Sequence, residues 1–471
     1  MRGRAMTLRT LRAAGLFLLV ILLALTASAP ADWRLIEALR QGDAHFARGE
    51  YYAALQAYAR AAALAPASQE VLLRAAQAHL ARHEIGPAVH LLGKLYPYAR
   101  GERRQRVLEG LGQAAFLQGE WNDARRWWER ALDAGESAPA HRGLAKLAEA
   151  AGEDAEAVRH WEALRTLAPD DPEALCHLAW LSLARAEGND LDALARAAAS
   201  SAPCAQAAGE VLQIFARSAP DAHAFAQAGI LLFQQGEHGF ALRMLERAVA
   251  LEPAYAEAHA YRGAVLAELG RPASAAFQRA LELDPECVLA HYFLGRYHLR
   301  FGLSGPARQE FQTVLRLDPD NPAVHVDIAL TYAAEGDYAG AQAELEEARR
   351  LAPDDPALAL AAARFYVERA YQLREKGIPI AREAVQLSGG SAEALDLLGW
   401  AYYLAGELRP AVEVLSLAVE RDPRYAGAWA HLGAARLAGG DREGGTEALQ
   451  RAVDLAPGSA VARWARSLLG E

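Results

Sequence analysis

Apolar residues recur along most of this chain at spacings of three and four, the spacing of one face of an α-helix. The pattern is clearest at 288–322, VLAHYFLGRYHLRFGLSGPARQEFQTVLRLDPDNP. Leu294, Tyr297 and Phe301 mark one apolar stripe, and Phe311, Val314 and Leu315 mark a second. Gly302 falls between the stripes and ends the first predicted helix; Pro319 stops the second. Gly295 and Ala307 are small where the two helix axes must approach closely. Neither helix can bury its stripe alone, so the segment reads as one layer of a stack.

The same alternation repeats. Closing residues fall at Pro253, Pro285, Pro319, Pro353, Gly389, Pro423 and Pro457, at intervals of 32, 34, 34, 36, 34 and 34. The short interval contains the tight turn Gly270-Arg271-Pro272-Ala273, and the long one surrounds Lys376-Gly377-Ile378-Pro379. Four earlier repeats are legible by register: Gly42, Gly49, Ala54, Tyr58 and Pro66 in the first, Ala76, His83, Ala88 and Leu92 in the second. Gly112, Gly119, Ala124 and Trp128 mark the third, and Leu144, Gly152, Ala157, Trp161 and Pro169 the fourth. After Pro169 the period breaks, with surplus chain for one extra helix before Pro220.

His291, Leu294-Gly295, His298, Gly302, Ala307, Phe311 and Pro319 together resemble the tetratricopeptide repeat (TPR), with the two histidines where that pattern prefers Trp and Tyr. Leu395-x2-Leu398-Gly399-x2-Tyr402 with Gly406, Ala411 and Pro423 is a stronger copy. The resemblance implies an all-α, right-handed superhelical solenoid of about twelve helix–turn–helix repeats. It also implies a concave groove lined by the first helix of each repeat. Projected onto that geometry, Tyr292, Arg296, Arg300, Arg364, Trp400 and Tyr403 are the expected ligand-binding residues. Aromatic and Arg side chains dominate interface energy, and the guanidinium offers a planar fork to carboxylates. The Asn- and Lys-rich clamp of the family's chaperone-tail binders is not expected, since the only asparagines are Asn122, Asn189 and Asn321.

The expected organisation is an N-terminal segment at 1–31, a repeat array at 32–187, an irregular helical junction at 188–220, a second array at 221–457 and a capping helix at 458–471. Arg463 and Arg466 are expected on the wet side of that cap. In the first segment Arg2, Arg4, Arg9 and Arg12 precede a charge-free run from Ala13 to Ala31. This is the pattern of a signal peptide, with Ala29-Pro30-Ala31 as a cleavage site before Asp32. The run also has the length of an uncleaved membrane anchor. Both readings put the repeats on the extracytoplasmic side, because the basic flank stays inside.

The net charge of −10 argues against a nucleic-acid partner. Three cysteines are too few for a disulfide framework, although Cys176 and Cys204, on helices expected to be neighbours, are candidates to pair after export. No phosphate-binding, zinc-hydrolase or nucleophile-elbow motif occurs, so neither an enzyme activity nor a cofactor is expected. His79 and His83 share a helix face, but they and His141, His259, His291 and His325 occupy packing places of their repeats, so no metal site is expected. Trp121 and Trp128 likewise coincide with core places. The sequence therefore points to a non-catalytic scaffold that holds a protein or peptide partner in its groove, outside the cytoplasm, in an envelope assembly or secretion complex. An accessory factor for polysaccharide export, binding glycan or its synthase, is the other class of reading. Membrane contact is expected only through the N-terminal segment, if uncleaved.

Overall fold

The structure, a computed structural model, describes residues 30–185, 191–217 and 221–471. The expected N-terminal segment lies almost wholly outside these residues. Among the described residues there are 26 α-helices and no strand. They follow one another as antiparallel pairs, such as Val288–Arg300 with Ser304–Leu317 and Ala392–Leu404 with Leu408–Arg421. No helix among them is long and apolar enough to cross a membrane. The chain forms two compact units, one running to Glu136 and including Thr446–Glu471, the other spanning Ser137–Gly445.

Several pairs are locked by one recurring contact. A Cβ built on Gly295 would stand 2.6 Å from the Phe311 ring, and one on Gly399 would stand 2.5 Å from the Leu415 side chain. Gly42 against Tyr58 and Gly112 against Trp128 repeat the arrangement in the first unit. In all four the bulky residue follows sixteen positions after the glycine. Gly263 meets Phe277 only fourteen positions on, because the 270–273 turn is two residues shorter. The contact is preserved and the turn absorbs the difference. Gly302 (φ +71) closes its first helix in the left-handed conformation that lacks a steric cost only for glycine. His83 holds that place in its own repeat at φ +57.

The irregular stretch forms helices Asp192–Ala198 and Ala205–Arg217 after Pro172–Arg185. Leu194, Ala197, Ala208 and Val211 are buried in one core with Trp161, Trp180, Leu232 and Leu245. Cys176 and Cys204 are disulfide-bonded here, with Cα atoms 5.8 Å apart. Cys287 is free and buried.

Three side chains depart from expectation. Phe301 was expected in the apolar stripe but is 62% exposed. It falls one residue past its helix and lies edge-on to Tyr297, with centroids 4.9 Å apart. Trp121, expected in the core, is 53% exposed. It opens helix Trp121–Asp133 at the turn and reaches only across to Phe116, whereas Trp128, two turns on, is buried. Arg466 does not face water as a cap residue would: it donates to the Arg82 carbonyl and approaches Glu84 at 3.9 Å.

That last contact belongs to a polar knot inside the first unit. Arg82 is 1% exposed. Its guanidinium donates to Asp454 Oδ1 at 2.8 Å, Gln450 Oε1 at 2.8 Å and Glu84 Oε1 at 2.7 Å. The Tyr52 backbone N–H donates to Asp454 Oδ2 at 3.0 Å. Burial pushes the Asp454 carboxyl up to about 6, against the pull of the Tyr52 N–H, Arg82 and Arg451.

Two outcomes follow from these contacts. Gly295→Ala should lower stability: helix propensity favours Ala by about 1 kcal/mol, but overpacking a fixed ring costs about 1–3 kcal/mol. Phe311 is fully buried and cannot swing aside, so the second effect wins. Denaturant unfolding followed by circular dichroism should show a lower midpoint, restored in part by adding Phe311→Leu. For Asp454, a carboxyl raised from 3.8 to about 6 stabilises the docked C-terminal segment at low pH and loses that contribution as pH rises through 6. Hydrogen exchange in helix Ala460–Leu469, compared between the parent chain and Asp454→Asn, should therefore differ in its pH dependence between about 4 and 6. Identical profiles would show that Asp454 is not the titrating group.

Candidate functional site

The first helices of the second unit bring three of the six expected binding residues, Tyr292, Arg296 and Arg300, together. A cavity of about 430 Å³ is lined from four successive first helices, by Phe233, by Ala264 and Glu268, by Phe293, Arg296, Tyr297 and Arg300, and by Asp327 and Leu330. A second cavity, of about 300 Å³, adjoins it at Leu330. Its lining is mostly apolar, from Val326, Ala329, Leu360, Ala361 and Phe365, with Arg364, Glu368 and Arg369 among the charged groups. Leu330 lines both and is itself exposed.

The first cavity is polar by construction. Arg296 lies over the Tyr292 ring, 5.9 Å from its centroid, and donates to the Tyr292 hydroxyl at 3.4 Å. Tyr292 in turn lies beside Asp327, a carboxylate only 8% exposed. Burial pushes the Asp327 carboxyl up, and Arg296 and Tyr292 pull it down less strongly. Burial, with Asp327 nearby, likewise raises the Tyr292 phenol. Arg300 donates to the Ala267 carbonyl and stands 3.7 Å from Glu268. Arg300 is thus tied to the preceding first helix, Ala256–Glu268, and Arg296 to Tyr292 on its own helix.

The other three expected residues lie further along the same unit. Arg364 pairs with Glu393 on the next first helix. Trp400 is stacked on Tyr403, with centroids 4.5 Å apart, and on His431, at 4.2 Å. His431 Nδ1 lies 2.7 Å from buried Asp396, which also accepts from the Tyr425 hydroxyl at 3.2 Å. Burial and Asp396 raise the Tyr425 phenol. The structure thus joins Tyr292, Arg296 and Arg300 in one site, sets Arg364 in the adjoining cavity, and makes Trp400 and Tyr403 part of a separate ring stack. Sequence reasoning missed Asp327. Its signal was an acid inside the apolar run Val324–Tyr332.

Three of the histidines singled out in the sequence pair with glutamates. His291 Nδ1 lies 2.6 Å from Glu310 and His325 Nδ1 2.7 Å from Glu344, each pair bridging the two helices of one repeat. His79 meets Glu84 at 2.6 Å. Among the described residues no group of His, Cys, Asp and Glu is arranged to hold a metal ion.

An all-helical array of antiparallel pairs, with a wall built from the first helix of each, defines a helical repeat protein. The tetratricopeptide repeat model matches residues 109–172, 226–276 and 273–322, so the chain carries tetratricopeptide repeats over those stretches. No curated protein matches the sequence. Among solved structures the chain is similar to yeast Tom70, at 16% identity over 94% of this chain and 96% of that one, with a TM-score of 0.46. It is similar to the APC/C hetero-tetramer Cut9–Hcn1 at 15% identity over 92% and 89%, with a TM-score of 0.43. A tetratricopeptide repeat protein from Parabacteroides merdae aligns at 14% identity over 53% of this chain and 99% of its own, with a TM-score of 0.43.

Proposed function

We propose that this chain is a non-catalytic scaffold that holds a protein or peptide against the first-helix wall of its second unit, outside the cytoplasm, in an envelope assembly or secretion complex. The observation that carries the reading is the cavity of about 430 Å³ shared by four successive first helices. A surface that draws on four repeats suits an extended partner better than a small substrate, which a single pocket would enclose. Its rim presents Arg296 and Arg300, and its neighbour offers an apolar recess beside Arg364, the mixture that anchors protein interfaces.

Two observations support an extracytoplasmic setting. The basic, then charge-free sequence of residues 1–31 reads as an export signal or anchor. The Cys176–Cys204 bond suits an oxidising compartment, since disulfides are rare in the cytosol. Glycan binding is the second reading, and the half-buried Trp400–Tyr403–His431 stack is the aromatic cluster that it would use. Retention on glycan gels, set against capture of one stoichiometric protein by cross-linking in the native envelope, separates the two.

For the wall, Arg296→Ala, Arg300→Ala and Trp400→Ala made together should leave the helical melt unchanged. Binding of the cross-linked partner should weaken by at least about 2 kcal/mol, or about 30-fold in Kd, for each of these side chains that is a hot spot. Unaltered affinity in a normally folded variant would move the site off this wall. For the setting, fractionation with protease protection should find the repeats outside, with the chain beginning at Asp32 or still tethered. Cys176 and Cys204 should resist alkylation until reduced. A cytoplasmic chain that keeps Met1 and has both thiols reactive would refute export.

A further inference from the structure

The first repeat carries an uncovered apolar face. Helix Pro30–Ala47 turns Leu35 and Leu39 inward, against Ala38, Ala61 and Val71. On its other side Trp33 is 65% and Ile36 63% exposed, and Leu64 from the following helix is also exposed. Trp33, Ala63 and Leu64 line an open cavity of about 380 Å³, with Arg34 and Arg60 among its charged groups. A solenoid end that faces water needs a polar outer surface. This end has a tryptophan and an isoleucine there instead.

The sequence before this face indicates what covers it. Ala13 to Ala31 is free of charge, and as a helix it would reach about 28 Å, close to the hydrocarbon thickness of a bilayer. Arg2, Arg4, Arg9 and Arg12 flank its far end. Trp33 follows two residues after the run, at the level where tryptophan collects between lipid tails and headgroups.

We infer that the face formed by Trp33, Ile36 and Leu64 is a membrane-docking surface that seats the first repeat in the headgroup region of an anionic bilayer. The inference rests on the anchored form of the export reading above. Trp33 and Ile36 enter the boundary between tails and headgroups, and Arg34 and Arg60 meet lipid phosphates beside them. Glu37 shares the cavity, but its carboxylate is engaged by Arg40 and Gln41 on its own helix.

The test uses the full chain, reconstituted into vesicles of phosphatidylcholine with a minor fraction of phosphatidylglycerol. Ile36→Cys and Leu64→Cys, each labelled with an environment-sensitive dye, report on the face; free Cys287 is buried and does not compete. Trp121→Cys is the control, because Trp121 is exposed elsewhere in the same unit. Headgroup-attached nitroxide lipids should at least halve the emission at 36 and 64 and leave 121 unchanged. Replacing phosphatidylglycerol with more phosphatidylcholine should weaken that quenching. A chain that is inserted by protease protection, yet water-exposed at 36 and 64, overturns the docking surface and leaves the anchor standing. Labels that are dry but unquenched also overturn it: loss of the dry signal on dilution identifies a second copy, and its persistence identifies the N-terminal segment folded onto the face. A chain that never inserts removes the anchor and the inference together.

Discussion

The contact on which the rest of this architecture depends is a bare stretch of backbone facing a bulky side chain. Gly295 under Phe311, Gly399 under Leu415 and Gly112 under Trp128 let two helices of a repeat approach until a ring or a leucine fills the space a Cβ would take. Dispersion falls off steeply with distance, so a well-filled contact of this kind fixes both the separation and the relative slide of the helices. The turn then adapts: the Gly263–Phe277 pair keeps the contact although its connection is two residues shorter. Conserving the packed contact, and letting loop length vary, is the cheaper arrangement because loop closure depends only weakly on length.

This explains what the sequence revealed and what it withheld. Helix pairs, their turns and their small residues were legible because each recurs at a nearly constant offset and joins residues of one repeat. Trp121 and Phe301 were misjudged because both stand at helix ends. There the periodic stripe continues on paper, but the neighbouring helix has already turned away. Arg466 was misjudged for another reason. Its partner is Arg82, 384 positions earlier, and no local period encodes that meeting. The Cys176–Cys204 pair was visible as a possibility because the surplus helix left two cysteines on adjacent elements.

The candidate wall was partly legible, since first-helix positions off the packed stripe follow from the repeat itself. The buried acid beneath it was not. Asp327 occupies a position that the repeat pattern leaves open, one residue before Ile328, and Arg296 and Tyr292 pull its raised carboxyl partly back down.

Three cations of the wall are already engaged before any partner arrives. Arg300 is tied to Ala267 and Glu268, Arg364 to Glu393, and Arg296 to Tyr292. A partner carboxylate must therefore exchange these contacts for its own, and the net gain from charge alone is small. Such pre-paired cations reject a mismatched ligand more strongly than they reward a matched one, because a ligand that breaks a pair without replacing it leaves two ions unsatisfied. Affinity must then come from apolar burial, and the recess around Leu330, Leu360 and Phe365 is where the wall offers it. On the function proposed above, the polar cavity would set which partner is admitted, and the apolar one beside it would supply the hold.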